Sequence, residues 1–174
     1  MKFDLEKSLE ILERTPTVIK ALLSAASKEW VMNNEGAETF SPYDVVGHLI
    51  QGEKTDWPER IKMILEFGTA KAFVPYDRFA MFTESAGKPI AELLDEFEQL
   101  RKVNIEWLRS LNLSETDFSK KGTHPTFGEV TLQQLVSTWV VHDLTHLSQI
   151  TRVMAKQYKE EIGPWVQFFR LMSF

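Results

Sequence analysis

Leu135, Trp139, His142, His146, Gln149 and Val153 recur at spacings of three and four, and this run sets the tightest limit on how the chain folds. Such a period belongs to an α-helix that turns one face to partners. Here the face carries two histidines four residues apart, one above the other, with ~5–6 Å between Cβ atoms. Each imidazole taken into a packed interior needs polar company, and two on one face can converge on a single metal ion. A helix of this kind needs neighbours, which must supply both the rest of the core and a third ligand.

The remaining sequence reads as those neighbours. Thr131 caps the histidine helix, which extends to about Tyr158, and Gly163-Pro164 ends it. Phe3, Leu5, Leu9 and Leu12 begin a first helical pattern, and Val18, Ile19, Leu22, Leu23 and Ala26 resume it after Thr15-Pro16. Proline lacks the donor a helix interior uses but suits a first helical position, with Thr15 as N-cap. A kinked helix or two short ones is therefore expected before Asn33-Asn34-Glu35-Gly36. Ser41-Pro42 is the clearest helix start, with Asp44 complementing the dipole. That helix runs through Val45, Val46, His48, Leu49 and Ile50 toward Gly68, with a kink expected at Pro58.

Residues 69–88 hold no sustained period, yet Phe73, Tyr76, Phe79 and Phe82 make them too aromatic for a solvated linker. This connection is expected to fold back over the core or a partner. From Pro89, the residues Ile90, Leu93, Leu94, Phe97, Leu100, Asn104, Trp107, Leu108 and Leu111 form a strong stripe. Glu92, Asp95, Glu96, Glu98, Arg101 and Lys102 are assigned to its solvated face. Trp165 to Phe174 reads as a short apolar last helix, and no segment alternates convincingly as a strand. Helices of this length and number predict an all-α, four-helix bundle with a short extra C-terminal helix, forming one domain over residues 1–174.

Composition removes several function classes. A net charge of −5 without a basic block argues against a nucleic-acid partner. The absence of cysteine excludes disulfides, thiol nucleophiles and cysteine zinc sites, so a metal must use His, Asp, Glu or water. Met1-Lys2-Phe3-Asp4-Leu5-Glu6-Lys7 has no apolar signal core, and no apolar run approaches the ~20 residues of a membrane span. No membrane partner and a cytoplasmic location are the expectations.

Two other histidines compete for the third ligand position. His48 lies two turns inside its helix, and Gly52, four residues on, leaves that face bare. The gap gives room for an ion and a ligand, or for a close helix crossing, and the two readings are compatible. His124 stands in Thr123-His124-Pro125-Thr126-Phe127-Gly128, as a substrate-side residue or as a loop-stabilising hydrogen-bond partner. His48 is preferred. Three neutral imidazoles leave coordination positions open, as catalytic metals require. Such ligands suit Zn, Ni, Cu or Fe and do not choose among them; a divalent zinc or nickel ion is the expectation. Asp143 reads either as orienting the His146 ring or as an exposed helix charge. Glu53 lies ~140° around the helix from His48, a poor position for a ligand. Gln149 and Trp139 are placed to line the site, though core packing explains Trp139 equally well.

The chain resembles the DinB-like superfamily of damage-inducible four-helix-bundle proteins, which includes the YfiT-like metal-dependent hydrolases and is unrelated to the DNA polymerase of the same name. The resemblance rests on Ser41-Pro42-Tyr43-Asp44-Val45-Val46-Gly47-His48-Leu49 and Gly52-Glu53-Lys54-Thr55-Asp56-Trp57. It continues in His124-Pro125-Thr126-Phe127-Gly128-Glu129-Val130-Thr131-Leu132 and Thr138-Trp139-Val140-Val141-His142-Asp143-Leu144-Thr145-His146. It implies a divalent metal held by one histidine of the second helix and two of the last long helix, here His48, His142 and His146. Family members include thiol-dependent transferases and isomerases, so fold and site transfer better than reaction.

Three functions follow as expectations. The first is a metal-dependent enzyme, a hydrolase or a transferase acting on a small thiol adduct. The second is a non-catalytic metal or small-ligand binding module linked to stress. The third is a dimerisation scaffold; apolar aromatics outside the four stripes, including Phe168, Phe169 and Phe174, point to a homodimer.

Overall fold

In the computed structural model, which describes residues 1–172, four long helical elements pack around a common axis. They are α1 (Leu5–Leu23), α3 (Pro42–Thr55) continued by α4 (Trp57–Phe67), α6 (Ile90–Ser110) and α7 (Leu132–Lys156). Two short helices, α2 (Lys28–Met32) and α5 (Met81–Glu84), lie in the connections. In cross-section α1 and α3 occupy opposite corners, each packed against α6 and α7. The expected four-helix bundle is present. No helix among the described residues is long and apolar enough to cross a membrane.

The helix starts follow local chemistry. Ser41 and Asp44 form a reciprocal capping box on α3, and Thr131 and Gln134 form another on α7. The second helix does not run unbroken to Gly68 with a kink at Pro58. It breaks at Asp56, and Pro58 sits in the first turn of α4, where its missing N–H costs nothing. Conversely, Thr15-Pro16 does not break α1. The Thr15 hydroxyl donates to the Ile11 carbonyl at 3.1 Å, and the helix continues through Pro16. Pro16 cannot donate to the carbonyl of Leu12, four residues back. Arg101 Nη1 takes that carbonyl instead, at 2.7 Å.

That contact belongs to a polar layer across the middle of the bundle. One apolar cluster lies on one side, including Leu12, Trp57, Ile61, Ile105, Leu108 and Trp139. The other includes Ile19, Leu49, Ile50, Leu94, Phe97 and Ile150. Between them Arg101, only 1% exposed, pairs with Glu53 at 2.8 Å and with Asp143 at 2.6 Å. Asn104 Nδ2 and Trp139 Nε1 also donate to Glu53, at 2.9 and 3.2 Å. All four helical corners contribute a group. Arg101 therefore does not lie on a solvated face, and Asp143 is not an exposed charge.

No strand is expected from the residue pattern, but residues 121–131 fold as a hairpin. Antiparallel β1 (Lys121–His124) and β2 (Gly128–Thr131) pair across a turn at Pro125-Thr126-Phe127. A Cβ on Gly122 would lie 2.7 Å from Ile64 Cγ1 and 2.8 Å from Phe73 Cε1, so the hairpin presses its backbone onto the core. The aromatic connection does fold back: Phe73 is buried, and its N–H donates to the Thr123 carbonyl at 2.9 Å. The expected C-terminal α-helix is replaced by two 3-10 turns, Gly163–Phe168 and Arg170–Met172. Ser173 and Phe174, which the sequence reading included in that helix, lie outside the described residues.

Candidate metal centre

Packing α3 beside α7 brings His48 to the paired histidines of the last helix. His142 Nε2 lies 3.1 Å from His48 Nε2 and 3.1 Å from His146 Nε2. With metal–nitrogen bonds of ~2.0–2.1 Å, neighbouring donors are ~3.3 Å apart in a tetrahedron and ~2.9 Å apart in an octahedron. Both of these separations fall between those values, and the donor atoms of all three rings lie within 4.8 Å of one another. Among the described residues, these three form the only cluster of three or more His, Asp or Glu groups suited to an ion.

The outer faces of the rings show why the Nε2 atoms turn inward. His146 Nδ1 is 2.8 Å from Gln149 Oε1, so it carries the proton and leaves Nε2 with a lone pair. The Tyr76 hydroxyl donates to the His48 carbonyl at 3.2 Å and lies 3.3 Å from His48 Nδ1, placed to accept from it. Both arrangements fix the tautomer a metal ligand needs. His142 Nδ1 is buried without a hydrogen bond, its nearest carboxylate oxygen being Asp143 Oδ1 at 4.0 Å. Asp143 thus lies beside His142 rather than orienting His146, and its carboxylate is committed to Arg101. Glu53 stays out of the site, held by the same arginine.

Burial, reinforced by the His146 and His142 charges, pushes the His48 imidazole down to about 3. Burial and the neighbouring His142 push His146 down to about 4. Both rings are therefore neutral at physiological pH, the form that binds metals. Convergent geometry, inward lone pairs and neutral rings together fit a divalent ion.

A cleft of about 580 Å³ opens onto the three rings and is lined also by Phe40, Asp56, Arg60, Tyr76, Arg78 and His124. The space beside His48 that Gly52 leaves is taken by the Trp57 indole; a Cβ there would stand 3.0 Å from Trp57 Nε1. Trp57 packs edge-on to His142, with centroids 5.0 Å apart. Gln149 lines the cleft as expected, whereas Trp139 is wholly buried in the core. His124 is the loop-stabilising hydrogen-bond partner, and it stands at the cleft. Its Nδ1 accepts from the N–H groups of Thr126 and Phe127 at 3.1 and 3.2 Å, and its ring lines the cleft. Sequence reasoning missed Tyr76, Asp56, Arg60 and Arg78. Tyr76 gave a signal in the aromatic connection; the others are charged residues near proline breaks with no period to mark them.

Residues 11–150 match the DinB superfamily. The chain belongs to that superfamily. Among solved structures, this DinB-superfamily chain is similar to YfiT from Bacillus subtilis, a probable metal-dependent hydrolase with an unusual four-helix bundle topology. The TM-score is 0.74 at 22% identity, covering 91% of this chain and 87% of the other. At that identity the likeness shows a shared fold. No curated protein matches the chain.

Proposed function

We propose that His48, His142 and His146 hold a divalent metal, zinc or nickel, in an enzyme that hydrolyses a small substrate or transfers a small thiol. The observation that carries this reading is the convergence of three Nε2 atoms on one edge of an open cleft with no fourth protein ligand among the described residues. A fourth ligand would have favoured a non-catalytic binding module. A divalent ion held there supplies Lewis acidity toward a water or thiol in the cleft. The protein's own groups position and desolvate. Tyr76 and Gln149 orient two of the rings, and Trp57 and Phe40 close the cleft with apolar surface. Asp56 is a buried carboxyl on the cleft wall, raised by burial against the opposing pull of Arg60, which suits a group that exchanges a proton.

The test is an assay of zinc-loaded protein against an activated ester and against an electrophile offered with a small thiol. Turnover of one should disappear in His142→Ala and on chelation. Turnover that survives both treatments would refute the metal-dependent reading.

A homodimer is part of the proposal. Val141 and Leu144 on the outer face of α7 are 60% and 46% exposed, and Trp165 and Phe168 are 63% and 73% exposed. These apolar surfaces suit a partner. Light scattering at micromolar concentration should give twice the chain mass; a monomer mass rules the dimer out.

A further inference from the structure

The cleft holds more hydrogen-bond donors than the three imidazoles require. Arg60, from the first turns of α4, is largely buried, its side chain 12% exposed. Its Nε forms an ion pair with Asp56 Oδ1 at 2.6 Å, in which the buried Nε–H makes no hydrogen bond. That contact runs through Nε alone, so the two terminal nitrogens take no part in it. The guanidinium is held 5.3 Å over the Phe73 ring. A buried, positioned guanidinium with unused donors is a fork awaiting an oxyanion.

His124 adds a second donor. Because its Nδ1 accepts two backbone N–H groups, the neutral ring carries its proton on Nε2. Burial and the Arg60 charge lower its pKa, which keeps it in that neutral form. The hairpin fixes the ring in place by stacking on Phe127, with centroids 4.6 Å apart. Arg78, from the 69–88 connection, supplies a third group. It has no ion pair among the described residues and rests on the Phe79 ring at 4.9 Å. Of the opposing charges in the cleft, Glu35 is held by Arg152 and Asp56 by its contact with Arg60. The remaining carboxylate is Glu38, exposed on the 33–41 loop.

We propose that Arg60, Arg78 and His124 form an anion-binding subsite beside the three histidines, taking the carboxylate or phosphate of a small substrate. The subsite rests on the metal-enzyme reading only for its purpose, since its donors are set by protein contacts alone. It narrows that reading to substrates that carry an oxyanion.

The experiment is calorimetric titration of the full chain with malonate and with methylphosphonate, zinc-loaded and after chelation, with zinc content measured on every sample. Wild type should bind at least one of the two, and the tighter one assigns carboxylate or phosphate. Arg60→Gln and Arg78→Gln should each weaken binding about tenfold or more, the loss typical of a charged hydrogen bond. His124→Phe, which keeps the stack and loses the donor, should weaken it less, and zinc content should stay at the wild-type value throughout. Because Arg60 is buried, Arg60→Lys is measured alongside; it keeps the charge and loses the fork, so its affinity should fall between wild type and Arg60→Gln. Equal affinity in wild type and the Arg60→Gln/Arg78→Gln double variant overturns the subsite, as does the absence of binding by zinc-loaded wild type. If wild type takes up no zinc, the metal reading fails, and Arg60-dependent anion binding by that protein still decides the subsite.

Discussion

Arg101→Met is expected to destabilise the protein more than any other single substitution. The change strands Glu53 and Asp143 as uncompensated buried carboxylates and leaves the Leu12 carbonyl without a donor. Removing one partner of a buried ion pair costs ~3–5 kcal/mol, out of a typical total stability of ~5–15 kcal/mol. For a chain of this length that corresponds to a fall of ~6–20 °C in melting temperature, or to failure to fold. The cause is the stranded charge, not lost volume, since methionine fills most of the space. Adding Glu53→Gln and Asp143→Asn should therefore recover much of the loss, because both stranded charges are removed and the Gln oxygen still accepts from one of Asn104 and Trp139, which use different oxygens of Glu53. Thermal melting followed by circular dichroism checks both statements. A single variant that melts within a few degrees of wild type would show that the layer contributes little.

The second large effect concerns metal occupancy. His48→Ala, His142→Ala and His146→Ala are each expected to lower bound metal sharply, while His124→Ala retains it. His124 Nδ1 is occupied by the turn it stabilises, and the residue is no part of the three-histidine cluster. Elemental analysis of untagged protein is the measurement; a loaded His48→Ala beside a metal-free His124→Ala would reverse the assignment. Chelation at neutral pH should lower the melting temperature of wild type but not of His142→Ala/His146→Ala, and added zinc should restore it.

Acidification has a definite sign. Without metal, His48 and His146 titrate at about 3 and about 4, while unfolded histidine titrates near ~6.5. The unfolded chain therefore binds protons first as pH falls through ~6.5, and stability drops until the folded rings titrate as well. Protons also compete with the ion for the same nitrogens, so the stabilisation by metal shrinks over that range. A chelator effect that persists undiminished in acid would place the metal elsewhere.

The bundle and the histidine cluster were legible because both are periodic. His142 and His146 share a face by spacing, and the capped start at Ser41 fixed the height of His48 in its helix. The polar layer was not read, although its period was present. Leu94, Phe97, Arg101, Ile105 and Leu108 form one buried stripe, but a single arginine beside Glu98 and Lys102 looks like part of a charged face. On α7 the buried stripe is Val136, Trp139, Asp143, Ile150 and Val153. His142, one position before Asp143, and His146, three after it, lie ~60–100° around the helix to one side of it, so they meet a cleft and not the bundle axis. The hairpin escaped notice because four-residue strands are too short to show alternation, and Gly122 replaces an inward side chain. Much of the cleft wall, including Phe40, Tyr76 and Arg78, comes from connections, where neighbours are set by the tertiary fold and not by spacing.

Pro16 has a mechanical consequence. Neighbouring helices in a bundle can in principle slip past one another by a turn, ~5.4 Å, because every turn presents a similar surface. A proline makes one turn of α1 unlike the rest by opening a single carbonyl, at Leu12, and the Arg101 side chain enters there. The pair acts as a keyed joint: sliding α1 along α6 by a turn would withdraw the key. The same guanidinium grips Asp143, the residue after His142. The height at which His142 meets His48 is therefore indexed, through one arginine, to an amide hydrogen that the first helix lacks.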